Sequence, residues 1–190
     1  MIYTHFDQIP RLRYGLIVAD PPWSFRNYSK KGEKKNPSSQ YACMSLSDIQ
    51  ALPVAHIAAP DCLIWLWGVN PMLPQALETM KAWGFTFVSA GSWSKRTESG
   101  KMRFGPGYWL RSTNEPYLIG RIGNPKIQDR GIPSGFDAPA REHSRKPEMA
   151  YGHARRMAPH VRAIDLFSRQ EREGFDCFGN EVGKFQEDAA

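Results

Sequence analysis

The sequence predicts an α/β domain built on a mainly parallel sheet. Short apolar runs recur at Leu16 to Ala19, Cys62 to Trp67, Phe85 to Ser89, Tyr117 to Ile122 and Ala163 to Phe167. None alternates as a half-solvated strand would, so each reads as a strand buried on both faces. Segments of helical spacing or long loops separate them, which is the α/β pattern. The 190 residues suffice for a single domain, 1–190, whose core needs neither disulfide nor metal.

The first run stops at Asp20-Pro21-Pro22-Trp23. Neither proline can donate to a ladder and each fixes its φ, so the chain should leave the sheet as a stiff extended turn with free carbonyls. A helix then fits Leu46 to Leu52, with Ser45 as cap and Asp48 three residues on, resembling a capping box. The clearest helix takes Asn70 as N-cap and Pro71 in its first turn. It carries Leu73, Ala76, Leu77, Met80 and Trp83 on one face and stops at Gly84, which puts Trp83 in the core. A last helix starts at Pro147 and runs through Met149, Tyr151 and Ala154 to about Met157, before Pro159.

Three long loops hold much of the positive charge: 25 Lys and Arg against 19 Asp and Glu, net +6. The first, from about Phe25 to Gln40, has Arg26, Lys30, Lys31, Lys34 and Lys35. The second, from about Ser94 to Thr113, has Lys95, Arg96, Lys101, Arg103 and Arg111 with Tyr108 and Trp109. The third, from about Gly123 to Ser144, has Lys126, Arg130 and Arg141. Cations interleaved with aromatic rings suit phosphate contact and base stacking, whereas any one of these lysines fits equally a solvated loop. Their concentration in loops, rather than on helix faces, favours a nucleic-acid partner. The three cysteines, Cys43, Cys62 and Cys177, have no metal-ligand spacing, so neither a disulfide framework nor a metal site is expected. The absence of a basic leader or a membrane-length apolar run leads to the expectation of a soluble, cytoplasmic protein.

The tetrapeptide after the first strand is the most informative feature. Strand ends in open α/β sheets lie at the carboxyl edge, where such sheets bind ligands. A carboxylate, a backbone carbonyl and a flat ring are what the exocyclic amino group of a flipped-out base requires: two acceptors and a π face. The chemistry implied is methyl transfer to an amino nitrogen. The tetrapeptide alone equally fits a strand terminator in which Asp20 caps a helix and Trp23 is core.

The order of motifs along the chain resembles the MT-A-type family of N6-adenine methyltransferases. Besides the tetrapeptide it includes Tyr41 and Met44 before Ser45-Leu46-Ser47-Asp48-Ile49, then Leu63-Ile64-Trp65-Leu66-Trp67 and Trp83-Gly84-Phe85. Trp93-Ser94-Lys95, Gly107-Tyr108-Trp109-Leu110 and Glu115 follow. The C-terminal part has Arg141-Glu142-His143-Ser144-Arg145-Lys146-Pro147-Glu148, Leu166-Phe167-Ser168-Arg169 and Gly179-Asn180-Glu181. The resemblance implies a Rossmann-like methyltransferase fold in circularly permuted order, with the catalytic strand near the N-terminus and much of an S-adenosylmethionine pocket in the C-terminal third.

Carried over by position, Asp20 and the Pro21 carbonyl would hold the adenine amino group, in a catalytic turn of Asp20, Pro21, Pro22 and Trp23, with Trp23 stacking on the base. Lys146 would face the cofactor's carboxylate, with Asp20, His143 and Ser144 near the same pocket. Arg169, Asn180 and Glu181 would serve its ribose. Tyr41, Trp93, Lys95 and Glu115 resemble positions near the target base; their plainer roles are a loop anchor, a core ring and a surface ion pair. The resemblance implies DNA as substrate, with RNA as the alternative, no membrane, and the possibility of a homodimer. A catalytically inactive nucleic-acid-binding partner subunit is a further class within the family.

Overall fold

The computed structural model describes residues 1–23, 44–141 and 145–185. Eight strands form one sheet: β1 (Ile2–Tyr3), β2 (Tyr14–Ala19), β3 (Ala58–Trp67), β4 (Thr86–Arg96), β5 (Asn114–Ile122), β6 (Gly135–Pro139), β7 (Ala163–Leu166) and β8 (Phe175–Phe178). Their spatial order is β1-β8-β7-β2-β3-β5-β4-β6. Helices α1 (Leu46–Ala51), α2 (Val54–Ile57) and α3 (Leu73–Ala82) contribute to one core with Ile17, Ile64 and Leu66. Helix α4 (Glu148–Met157) contributes to the other with Leu16, Val18, Trp65 and Trp67. This is the Rossmann-like α/β architecture, and its central strand β2 is buried at all six positions.

The sheet has two halves. From β1 to β3 every pairing is parallel, whereas β5 runs antiparallel to both β3 and β4. The run Tyr117 to Ile122 is therefore not the parallel strand its sequence predicts. Its apolar signature reports cover on both faces, which is compatible with either direction. No helix bridges β4 and β5, and a connection without a crossover makes an antiparallel neighbour. The expected third loop contains β6, which pairs in parallel with β4, and β4 extends to Arg96, well past the apolar run that announces it.

The helix at Asn70 also differs from expectation. A single 3₁₀ turn, Asn70–Met72, precedes α3. Pro74 lacks the N–H that would bond the Asn70 carbonyl if the α-helix began at Pro71. Asn70 does not cap; its amide donates to Asn114 Oδ1 at 2.9 Å. At the other end Gly84 adopts φ of 81°, the left-handed geometry that ends a helix without Cβ strain. Trp83 is buried as expected, with its indole N–H donating to the Ile49 carbonyl at 2.8 Å.

Candidate active site

One edge of the sheet collects the residues singled out by the sequence. The parallel strands β2, β3, β7 and β8 end there, and because β5 runs the other way it begins there, beside the end of β4. Asp20 follows β2, between β3 on one side and β7 on the other. From β2 the chain goes on to β3 on one side, and from its neighbour β7 to β8 on the other, and such a switch point is where open α/β sheets form their ligand crevice. A cleft lies there, lined by Asp20, Arg145, Lys146, Asp165, Phe167 and Arg169 among others.

On the β3–β5 side, Asp20 belongs to a chain of alternating charges. The Lys146 ammonium donates to Asp20 Oδ2 at 2.7 Å and lies 3.2 Å from Glu115 Oε2, while Lys95 donates to Glu115 Oε1. Burial alone would raise the Glu115 pKa, but the two ammoniums bring it down to about 2. Lys95 and Glu115, whose plainer role was a surface ion pair, thus form a partly buried pair coupled to Asp20 through Lys146. Lys146 is only 7% exposed, and it spans the two carboxylates rather than reaching into solvent from its helix start. Its ammonium also lies 5.4 Å from the Trp67 ring centroid.

On the β7 side the cleft holds a second buried acid. Asp165, 1% exposed, accepts through Oδ2 from the Arg172 guanidinium at 2.8 Å, and the Ser168 and Tyr151 hydroxyls also act on its carboxylate. Burial pushes its pKa up to about 6 despite Arg172. Arg145, also buried, donates to Gln170 Oε1 at 3.0 Å. Phe167 holds φ of 65°, unusual for a residue with a side chain, as the chain turns from β7 along the cleft.

Several expected positions differ from their sequence reading. Trp23 is buried, and its indole N–H donates to the Trp67 carbonyl at 3.0 Å, so it serves the core rather than presenting a face for stacking. The Pro21 carbonyl is not free, since it accepts from the Trp23 N–H at 2.8 Å; its second lone pair remains. Trp93 is likewise core, bonded to the Ala138 carbonyl at 3.0 Å. Arg169 lines the cleft and lies 3.3 Å from Glu181, while Asn180 is exposed and does not line it. Gly179 permits close approach, but of backbone: a Cβ there would sit 2.3 Å from the Ser168 carbonyl oxygen. Tyr41, His143, Ser144 and the first basic loop lie outside the described residues.

Asp165, Arg145 and Arg172 were not singled out as site residues by the sequence. Asp165 had left a signal, since an acid inside Ala163-Ile164-Asp165-Leu166 breaks an otherwise apolar buried strand. Among the described residues, no group of three or more His, Cys, Asp and Glu side chains could hold a metal ion, and no helix is long and apolar enough to cross a membrane.

Fold and cleft together define a Rossmann-like domain with a cleft at the carboxyl edge of its sheet, beside an acid on a proline turn. The chain belongs to the MT-A70 family, whose model matches residues 14–181. This is a family of S-adenosylmethionine-dependent N6-adenine methyltransferases. The chain is 29% identical to the type II methyltransferase M.MunI of Mycoplasma sp, over 93% of this chain and 81% of the relative. It is 28% identical to human N(6)-adenine-specific methyltransferase METTL4, over 93% of this chain and 39% of the relative. Identity is also 28% to the N(6)-adenosine-methyltransferase MT-A70-like protein of Arabidopsis thaliana, over 89% of this chain but only 24% of that protein.

Proposed function

We propose that this chain transfers a methyl group from S-adenosylmethionine to the N6 amino group of adenine in DNA, acting as a single domain. The observation that carries this reading is the position of Asp20, which lines the cleft on one side and joins the charge chain to Glu115 and Lys95 on the other. DNA is favoured over RNA by the similarity to the type II methyltransferase M.MunI, 29% identical over 93% of this chain.

The residues of the cleft fit the cofactor's amino-acid end. Asp165 would face its ammonium, and Lys146 with Arg145 would supply positive charge to its carboxylate. Arg169 would reach the ribose, with Glu181 holding the guanidinium in place. When bound, S-adenosylmethionine supplies an electrophilic methyl group on a sulfonium.

The chain's own task is to orient the adenine nitrogen. That nitrogen's lone pair is delocalised into the ring, so it attacks only when its two hydrogens are held out of the plane that favours delocalisation. Asp20 accepts one of them and the Pro21 carbonyl the other. Lys146 pins Oδ2 of Asp20, which leaves Oδ1 for the substrate. Asp20, or water, would take the proton that the adenine nitrogen gives up on receiving the methyl group. Orientation and preorganised dipoles supply the acceleration, with no covalent intermediate on the protein.

The test is incubation with labelled S-adenosylmethionine and matched DNA and RNA oligonucleotides, single- and double-stranded, followed by nucleoside mass spectrometry. N6-methyldeoxyadenosine supports the reading. Product only in RNA would move the substrate, and binding without product in any polymer would favour an inactive partner subunit.

A further inference from the structure

We propose that the β4–β5 loop, residues 97–113, is a stacking platform for an unpaired stretch of the substrate strand, with Trp109 lying against a base that neighbours the one held at Asp20. This rests on the nucleic-acid reading above and names the surface that grips the polymer.

The loop stands on the site. It leaves β4 just after Lys95 and returns to β5 just before Glu115, the pair that leads through Lys146 to Asp20. It is also tied down: the Arg103 N–H donates to the Lys95 carbonyl at 2.9 Å, the Gly105 N–H to the Ser112 carbonyl at 2.6 Å and the Arg103 guanidinium to the Ala140 carbonyl at 3.1 Å. Its turn depends on Gly107, where any Cβ would run into the Leu110 carbonyl. That turn presents Tyr108 and Trp109 at its tip.

On this secured loop the apolar groups point outward. Trp109 is 99% exposed, Leu110 85% and Phe104 54%. A fully exposed indole held on ordered backbone forgoes the burial that every other described tryptophan achieves, which marks a surface that something else covers. Charge identifies the occupant. Lys101, Arg103 and Arg111 stand among the rings against one acid, Glu98, and the Arg111 guanidinium lies 5.2 Å from the Phe104 ring centroid. Flat faces interleaved with guanidinium groups take bases and phosphates together. A second copy of the same loop would bring like charges together instead. An adenine extruded toward Asp20 leaves unstacked neighbours, whose π faces need a new partner.

The test is fluorescence anisotropy with a fluorescein-labelled, adenine-containing single-stranded oligodeoxynucleotide, comparing the unaltered chain with Trp109→Ala and Trp109→Phe. Calorimetry with S-adenosylmethionine reports whether each variant is folded. Trp109→Ala should weaken oligonucleotide binding about ten- to a hundredfold, Trp109→Phe should recover most of it, and cofactor affinity should stay unchanged. Equal oligonucleotide affinity in Trp109→Ala would overturn the platform while leaving the methyltransferase reading intact. So would self-association, seen by sedimentation, that Trp109→Ala abolishes without altering oligonucleotide binding. Failure of the unaltered chain to bind any oligonucleotide would overturn both.

Discussion

The parallel and antiparallel halves of the sheet do different work. Strands β7 and β2 end side by side, and the turns that follow them wall the cleft with Asp20, Phe167 and Arg169. Across β3 the reversed strand β5 delivers its first residues to the same edge, together with the end of β4 and the long loop between them. A parallel strand contributes only its last residues to that edge, but a hairpin contributes two strand ends and everything between them. The cleft proposed for the cofactor thus belongs to the parallel half and the proposed polymer contacts to the antiparallel half. Asp20 and Lys146 are the joint.

The largest effect should come from breaking the joint. Asp20→Ala should lower kcat about 10²- to 10³-fold, the scale of losing a preorganised transition-state contact, while calorimetric affinity for S-adenosylmethionine changes far less. Lys146→Met should come next, because it strands two inward-facing carboxylates: about 3 kcal/mol of stability lost in urea unfolding, with weaker cofactor binding. Lys95→Met should cost only about 1 kcal/mol, since Lys146 still faces Glu115. Equal costs for the two lysines would mean that the charge chain is not centred on Lys146.

The halves should also differ in their response to pH. Glu115 is held down to about 2 by its two lysines. Its contribution to stability is therefore full above the ordinary glutamate range and lost as pH falls from about 4 toward 2. Glu115→Gln should flatten that acid limb in thermal unfolding. Asp165 runs oppositely: its pKa is pushed up to about 6 by burial, so the folded state binds the proton more readily and this residue's contribution to stability declines as pH rises from about 4 to 6. If Asp165 receives the cofactor's ammonium, affinity for S-adenosylmethionine should fall modestly below about pH 6, and Asp165→Asn should bind more weakly but with a flatter pH profile. An unchanged profile in that variant would remove Asp165 from the site.

In the parallel half β2, β3 and β7 were legible in the sequence, as apolar runs punctuated by strong signals such as the prolines after β2 and Pro147 before α4, whereas the short strands β1 (Ile2–Tyr3) and β8 (Phe175–Phe178) were not singled out. The antiparallel half was less legible. Apolar runs do not carry direction, and β6 (Gly135–Pro139) is too short and mixed to stand out. The roles of Trp23 and Trp93 depended on where each indole N–H finds its acceptor, and both acceptors, the Trp67 and Ala138 carbonyls, are more than 40 residues away in sequence. Composition could place rings and cations in the loop before β5, but only the fold could distinguish the buried indole of Trp93 from the bare one of Trp109.

The most direct test of Asp20 as the joint is a paired assay of methyl transfer and cofactor binding on the unaltered chain and Asp20→Ala, using adenine-containing DNA. The expected result is N6-methyldeoxyadenosine from the unaltered chain only, with both proteins binding S-adenosylmethionine. Full methyl transfer by Asp20→Ala would contradict it.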